Sequence, residues 1–397
     1  MKKQAAFFFG SGISFPSQMP SVYDISKAAL AEDWHFHTDQ CFYPGHHAGS
    51  SAPDAVTVAA KGFLTKVNDC AADYLTDLSR HRVSRKPHYE DWFSLAEQAS
   101  RLATDYTPNL AVVEFLRCLR RETAPYHCGF DRGPVGVDGF VGLAIIACDY
   151  LHWVVHHSLN PAGNHRHGLD LVSKTAAAVD ALNIFTLNHD LLVETQLAND
   201  AIADVEAGFD DRSHGQFSVF SGWPKTARKK VRLFKLHGSL NWYFYDFPNW
   251  ARQYAIPDRD HSHSKDENGN FVTPLEGKAA FLSGTIVKEQ RYGLGLWGEL
   301  FSNFREHLSH HTHLICCGYG FGDPGINHRL AQWMDDRLDG SNRLVILTPD
   351  SPETFLADKP LLLHRLFEQK RMLFVSAYLE TCTLEQIAGY FDALPPR

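Results

Sequence analysis

Short apolar runs along the chain end in polar or glycine-rich turns, and segments with helical periodicity follow them. The clearest run covers residues 183–187 and ends at Asn188 and Asp190, after which residues 190–199 have the spacing of an amphipathic helix. Similar apolar runs lie at residues 5–9, 231–236, 279–282, 313–317, 344–347 and 372–375. Apolar strands that alternate with helices are typical of a mostly parallel sheet covered by helices. The pattern therefore predicts an α/β fold.

A long helical stretch separates the first two of these strands. The apolar positions in residues 58–180 recur with the 3.6-residue period of a helix. We therefore predict a mainly helical insertion at residues 34–180, between the two parts of a sheet domain at residues 1–33 and 181–397. Further helices are predicted at residues 22–30, 296–308, 324–338, 361–369 and 384–394, the first of them with Ser21 as its N-cap.

Two segments without periodicity, residues 34–57 and 248–274, are interpreted as loops. Histidines are common in both: His35, His37, His46 and His47 in the first, and His261 and His263 in the second. Because no fixed ligand spacing on a helix or strand accompanies these histidines, polar surface loops are favoured over metal sites.

Composition narrows the classes of function. The 397 residues are 44% hydrophobic and carry a net charge of −8, so the chain lacks the overall basic balance of nucleic-acid-binding proteins. The eight cysteines contain no C-x-x-C pair, which excludes a zinc ribbon or a thioredoxin motif. No stretch has the about 18 consecutive apolar residues of a membrane-spanning helix, and the N-terminus lacks the pattern of a signal peptide. These observations predict a cytoplasmic protein.

Polar and glycine-rich residues follow four of the predicted strands. They are Gly10-Ser11-Gly12 with Ser14, then Asn188 and Asp190, then His237, and finally residues 318–323. In a parallel sheet these strand ends lie at one edge, where α/β proteins bind ligands. Glycine turns that open a helix suit phosphate groups, although Phe15 stands where the dinucleotide fingerprint has its last glycine. Alone, the first turn is equally consistent with an ordinary strand–helix connection.

Taken in order, these four segments resemble the catalytic core of the sirtuins. The segments are Gly10-Ser11-Gly12-Ile13-Ser14, Thr186-Leu187-Asn188-His189-Asp190, Lys235-Leu236-His237-Gly238-Ser239 and Gly318-Tyr319-Gly320-Phe321-Gly322-Asp323. The resemblance is closer to the Sir2-like domains of bacterial anti-phage defence proteins, and it covers about residues 1–30 and 181–397. It implies a Rossmann-like sheet that binds NAD and cleaves the bond between its nicotinamide and ribose.

The resemblance also implies a role for each site residue. Asn188 would hold the ribose and position a water molecule, Asp190 would contact the nicotinamide carboxamide, and His237 would act as the general base. An imidazole titrates near neutrality and suits that last role. The residues implied in cofactor binding are Gly10, Ser11, Gly12, Ser14, Gly318, Tyr319, Phe321 and Asp323, with Thr285 as a weaker candidate.

Two departures from the sirtuin pattern bear on the reaction. The structural zinc module of deacetylating sirtuins, with its two C-x-x-C pairs, has no counterpart here, and residues 14–20 replace the stretch that follows the first glycine motif in those enzymes. We therefore expect water as the acceptor, no metal, and an NAD glycohydrolase that depletes NAD during phage infection. A non-catalytic module that binds NAD or ADP-ribose is the main alternative, and a zinc-free protein deacylase ranks third.

An unrestrained NAD hydrolase would kill its own host. The resemblance therefore implies control by homo-oligomerisation or by a partner, for which we favour a HerA-type ATPase over a short Argonaute. Neither sequence-specific binding to nucleic acid nor a membrane is expected.

Overall fold

Two compact units make up the computed structural model. It describes residues 2–46, 54–79, 85–103, 112–127, 139–160, 167–202, 204–224, 229–247, 252–259, 261, 263–337 and 339–393. The sheet unit comprises Met1–Met19, Ala162–Leu282 and Glu289–Arg397, and the helical unit comprises Pro20–Pro161 and Ser283–Lys288.

The strands and helices are numbered in chain order. The strands are β1 (Lys3–Phe9), β2 (Trp34–Phe36), β3 (Phe42–Pro44), β4 (Ala181–Thr186), β5 (Val205–Glu206), β6 (Phe209–His214), β7 (Phe217–Phe220), β8 (Val231–Lys235), β9 (Tyr243–Tyr245), β10 (Gln253–Pro257), β11 (His313–Cys317), β12 (Arg343–Thr348), β13 (Met372–Ser376) and β14 (Asp392–Ala393). The helices are α1 (Val22–Ala31), α2 (Ala55–Ser79), α3 (Tyr89–Ser100), α4 (Val113–Glu122), α5 (Gly139–Leu159), α6 (Asp170–Ala178), α7 (Leu192–Asn199), α8 (Ile286–Arg291), α9 (Gly295–Leu308), α10 (Pro324–Asp335), α11 (Pro352–Leu356), α12 (Leu361–Glu368) and α13 (Leu384–Ile387). Short 3-10 turns lie at Ser11–Ser17, Arg101–Ala103, Ala124–Tyr126 and Ala388–Tyr390.

The central sheet has the order β13-β12-β11-β1-β4-β8-β5, and β14 pairs with β1. Neighbouring strands of that series pair in parallel, whereas β14 is antiparallel to β1. Counted along the chain, the main strands follow the order 3-2-1-4-5-6 of the Rossmann fold. The predicted α/β fold is confirmed, and the order reverses between β1 and β11, where such folds bind their ligands.

Both faces of this sheet are buried, which explains its apolar strands. In β1, Phe8 packs on one face with residues of α9, α10 and α12, and Phe7 and Phe9 pack on the other with residues of α6, α7 and α13. All three phenylalanines are fully buried. Each such side chain stabilises the fold by about 1.5–3 kcal/mol relative to an exposed one. The alternation along β1 therefore fixes the sheet between two helical layers.

The helical unit is organised around α5, against which α2 and α3 pack. Within the described residues, α5 is the one helix with the length and apolar composition to cross a membrane, and 72% of its most apolar window is buried inside the protein. The hydroxyl of Tyr150 on α5 donates a hydrogen bond of 2.6 Å to the carbonyl of Ala29 on α1. Helix α5 therefore has the environment of a core helix.

The two units divide the chain at other points than residues 33 and 180. Helix α1 belongs to the helical unit, where the Ser26 hydroxyl accepts a hydrogen bond of 2.8 Å from the Tyr89 amide. The predicted cap of this helix is confirmed, since the Ser21 hydroxyl accepts from the Asp24 amide. Helix α6 belongs to the sheet unit because its apolar face joins the core beneath β4. The boundaries of the helical unit therefore depend on which core each helix packs against, and helical periodicity in the sequence does not show this.

Several local predictions are wrong. The segment interpreted as a loop at residues 248–274 contains β10, which joins β6, β7 and β9 in an antiparallel sheet with the order β6-β7-β10-β9. The 34–57 segment contains the β2–β3 hairpin, while residues 47–53, which include His47, lie outside the described residues. Residues 279–282 form a single bridge between Gly238 and Phe281 rather than a strand. No group of three or more histidine, cysteine, aspartate or glutamate side chains that could hold a metal occurs among the described residues.

The predicted helix at residues 384–394 is also wrong, because it stops after one turn at Ile387. The chain then extends into β14, where the Asp392 carboxylate accepts hydrogen bonds from the Thr312 amide at 2.9 Å and from His313 Nδ1 at 2.9 Å. Burial by itself would raise the pKa of Asp392, but hydrogen bonds from His311, His313 and Thr312 outweigh it and hold that pKa well below its usual range. These long-range bonds favour the strand over the helix.

Candidate active site

The two glycine-rich turns interlock beside the switch point of the sheet. The Gly10 amide donates to the Cys317 carbonyl at 3.1 Å, and the Gly12 amide donates to the Gly318 carbonyl at 2.9 Å. A Cβ atom on Gly10 would lie 2.6 Å from the Gly318 carbonyl oxygen, and one on Gly318 would lie 2.5 Å from the Ile13 amide nitrogen. Gly318 also has φ +66°, which glycine adopts readily. Only glycine fits at this crossing of two backbones.

Ser14, Asn188 and Asp190 form a buried hydrogen-bonded cluster. The Ser14 hydroxyl donates to Asp190 Oδ2 at 2.8 Å and accepts from Asn188 Nδ2 at 3.0 Å. All three side chains are at most 8% exposed. The sequence prediction therefore placed three residues in the site that the structure brings into direct contact, although Ser14 is 174 residues from Asn188.

The loop between β4 and α7, which carries Asn188 and Asp190, is held from three sides. The Asn188 amide donates to the Thr186 hydroxyl at 3.1 Å, and the Leu192 amide donates to Asp190 Oδ1 at 3.1 Å. From beneath, Lys235 Nζ donates to the Asp190 carbonyl and forms an ion pair of 2.7 Å with Glu194. Lys235 was not a predicted site residue, because the end of an apolar strand gives no sign that a lysine there points inward.

His237 contacts Tyr292 and Asp323. Its Nε2 atom lies 2.8 Å from the Tyr292 hydroxyl and 3.3 Å from Asp323 Oδ2. The Tyr292 hydroxyl in turn donates to Asp323 Oδ2. Behind His237, the turn is fixed by Gly238 at φ +81°, where a Cβ atom would collide with the Ala280 carbonyl. Tyr292 lies in no motif, so sequence reasoning missed it.

Asp323 also forms a hydrogen bond at the start of α10. Its Oδ1 atom accepts a hydrogen bond of 3.0 Å from the Ile326 amide, which makes it the N-cap of that helix. The Tyr319 hydroxyl donates to Asn327 Oδ1 at 3.0 Å, and Phe321 has a left-handed backbone at φ 59°. The side chains of Tyr319 and Phe321 belong to the hydrophobic core. The backbone of this turn is therefore the part that can face a ligand.

Thr285 and Ser11 have different environments. Thr285 belongs to the helical unit, where its amide donates to the Ser94 hydroxyl at 2.7 Å. The assignment of Thr285 to cofactor binding therefore stays a prediction. Ser11, in contrast, is exposed at the first glycine turn of the sheet unit.

A cavity of about 370 Å³ opens at the ends of β11 and β12. Its walls include the second glycine turn together with Thr348, Asp350 and Lys359. The volume is in the range of small-molecule sites. In dinucleotide-binding folds a carboxylate after a strand binds ribose hydroxyls, and Asp350 has the corresponding chemistry. Sequence reasoning did not single out Thr348 or Asp350.

One comparison with known proteins bears on this site. Residues 182–375 match a family model described as a SIR2-like domain. The match contains Asn188, Asp190, His237 and the second glycine turn, and it leaves out the first turn and the helical insertion. No protein of curated function matches the chain. The match supports an NAD-related function for the sheet unit, in agreement with the dinucleotide-binding strand order.

Proposed function

We propose, on the premise that the matched segment is Sir2-like, that the sheet unit hydrolyses NAD to nicotinamide and ADP-ribose. The observation that carries this proposal is the meeting of the Ser14–Asn188–Asp190 cluster, His237 and the two glycine turns at one edge of a Rossmann sheet. The glycine turns would hold the pyrophosphate, since their backbone lets an anion approach closely. The cavity beside Asp350 would hold the adenosine.

The hydrogen bonds of Ser14 define how Asn188 faces the substrate. The Ser14 hydroxyl has one hydrogen, which goes to the Asp190 carboxylate, so toward Asn188 it can only accept. The amide nitrogen of Asn188 is thereby directed at Ser14, and its carbonyl oxygen remains to accept a hydrogen bond from a ribose hydroxyl or from water. Asn188 is thus oriented to position the nucleophile.

Cleavage of the nicotinamide–ribose bond passes through a state with positive charge on the ribose, as in glycoside hydrolysis. Water attacks the anomeric carbon, the carbon–nitrogen bond breaks, and neutral nicotinamide leaves with the bonding electrons. The attacking water loses a proton, which His237 would accept directly or through a ribose hydroxyl. The Asp190 carboxylate would bind the carboxamide of the nicotinamide and hold the leaving group in place.

Water is favoured as the acceptor because the sequence after His237 contains no C-x-x-C pair for the zinc module of protein deacetylases. We propose further that the activity depletes NAD in the cytoplasm during phage infection. A homo-oligomer or a HerA-type ATPase would restrain the enzyme until infection. The support for this biological role is the resemblance of the four motifs to defence proteins.

The test measures NAD binding and turnover in the same preparation. Purified protein is incubated with NAD, alone, with an acetylated peptide, and with the products of neighbouring genes, and nicotinamide, ADP-ribose and acetyl-ADP-ribose are quantified. The proposal expects equal amounts of nicotinamide and ADP-ribose, independent of peptide. NAD binding without turnover in every mixture would overturn it in favour of a regulatory binding module, and acetyl-ADP-ribose would indicate a deacylase.

A further inference from the structure

We infer that Tyr292 and Asp323 are positioning residues for His237: they keep a proton on Nε2 and so make Nδ1 the basic nitrogen. This inference deepens the proposed NAD hydrolysis and rests on it. The sequence had predicted that Asp323 binds the cofactor, whereas this inference assigns Asp323 to the positioning of the base. The evidence is the chain of contacts from His237 through Tyr292 to Asp323.

The direction of each hydrogen bond follows from the groups involved. An ionised carboxylate only accepts, so the Tyr292 hydroxyl donates its one hydrogen to Asp323. The hydroxyl then accepts from His237, whose Nε2 atom lies 2.8 Å away and must carry the hydrogen. In a neutral imidazole the other nitrogen holds the lone pair. Nδ1 is therefore the atom that can accept a proton during the reaction.

Packing fixes the Tyr292 hydroxyl in this position. The ring of Tyr292 stacks on that of Phe301 with centroids 3.8 Å apart, and it lies so close to Gly325 that a Cβ atom there would collide with it. Tyr292 is only 7% exposed. Asp323 is fixed independently, because its other oxygen caps α10. Tyr292 and Asp323, each fixed by contacts of its own, thus determine the orientation of His237.

The charges around His237 also favour its role as a proton acceptor. Asp323 Oδ2 lies 3.3 Å from Nε2 and would stabilise the imidazolium that forms when His237 takes up a proton. From the β4–α7 loop, the ring of His189 faces His237 with centroids 6.3 Å apart. Lys235, on the same strand end, directs its ammonium group to Glu194 and the loop carbonyls instead. Asp323 is therefore a charged group in direct contact with the base.

The test uses two variants that keep the packing. Tyr292→Phe retains the ring and loses the hydroxyl. Asp323→Asn retains an oxygen that can cap α10, but its amide nitrogen replaces Oδ2, so the charge and the acceptor for the Tyr292 hydroxyl are lost. Tyr245→Phe is the matched control: it removes a buried tyrosine hydroxyl that bonds to the His261 carbonyl at 3.0 Å in the small antiparallel sheet. The readouts are the tautomer of His237, by nitrogen NMR with the signal assigned through His237→Gln, and the pH profile of kcat.

We expect the Nε2–H tautomer in the unmodified protein and a shift toward Nδ1–H in Tyr292→Phe. The value of kcat should fall at least about tenfold in both variants, with KM unchanged. In Asp323→Asn the acidic limb of the pH profile should also shift toward lower pH by about one pH unit, because the imidazolium loses the carboxylate that stabilises it. Tyr245→Phe should leave both readouts unchanged. An Nδ1–H tautomer in the unmodified protein, or an unchanged tautomer in Tyr292→Phe, would overturn the inference. Failure of NAD hydrolysis itself is seen separately, because the NMR measurement needs no turnover.

Discussion

Replacement of Lys235 by methionine tests whether the loop that carries Asn188 and Asp190 depends on one buried ammonium group. Lys235 is 2% exposed, and its Nζ atom contacts Glu194 at 2.7 Å and the carbonyls of His189 and Asp190. Methionine keeps most of the length and the apolar stem but removes the charge and all three hydrogen bonds. Both carbonyls then lose a buried donor.

The expected loss of unfolding free energy follows from the burial of Lys235 and Glu194. Removal of one member of a buried ion pair costs about 3–5 kcal/mol of unfolding free energy, since the other charge is left unpaired. The Glu194 side chain is 28% exposed and can be rehydrated, so the lower end of this range applies. A loss of about 3 kcal/mol lowers Tm by about 6–12 °C for a domain of this size. A displaced loop should also reduce kcat by about a hundredfold.

The assay combines thermal unfolding with NAD turnover below the transition. Arg232→Met is the matched control, because Arg232 lies on the same strand and forms a buried ion pair of 3.0 Å with Glu206 near the other strand end. It should lower Tm while kcat stays unchanged. Lys235→Met should lower both. A change of Tm by less than about 2 °C in Lys235→Met, about 1 kcal/mol or less, would refute the energetic argument, and an unchanged kcat would show that the lysine does not position the loop.

Three further predictions concern the glycine crossing, a buried histidine and the adenosine cavity. Gly318→Ala should destabilise the sheet unit by more than the about 1–2 kcal/mol of a left-handed residue, because of its collision with Ile13, whereas Gly320→Ala, whose Cβ would meet no atom within 4 Å, should leave Tm unchanged. Burial and the neighbouring Arg232 lower the pKa of His307 to about 3, so the unfolded chain takes up a proton first as pH falls below about 6.5. His307 should therefore contribute a loss of stability of about 2 kcal/mol between pH 7 and pH 5, and His307→Gln should reduce the total loss in denaturant titrations by that amount. Asp350→Asn should raise KM for NAD roughly tenfold with little change in kcat, and an unchanged KM would remove Asp350 from the site.

The sequence predicted those parts of the site that lie in short contiguous motifs. Asn188, His237 and Gly318 each follow an apolar strand directly, and parallel strands bring their ends to one edge, so local pattern was sufficient. The strand order, and with it the switch point between β1 and β11, came from the structure. The glycines of both turns were informative because Gly10, Gly12 and Gly318 lie where two backbones cross, and a Cβ atom at any of them would collide with the other backbone.

Residues whose role depends on distant contacts were not predictable. Tyr292 is 55 residues from His237 and 31 from Asp323, and no local pattern indicates that its hydroxyl joins them. Asp323 was predicted to bind the cofactor because it belongs to the second glycine motif, whereas its hydrogen bonds with Tyr292 and with the start of α10 were not predicted. Thr285 lies in the sequence between site segments but belongs to the other unit. Chain order does not show which unit a segment joins.

The most direct measurement of the central claim is NAD consumption by the purified protein beside Asn188→Ala and His237→Ala. The unmodified protein is predicted to release nicotinamide and ADP-ribose in equal amounts, while both variants still bind NAD and release neither. Release by both variants at the rate of the unmodified protein would contradict the assignment of the site.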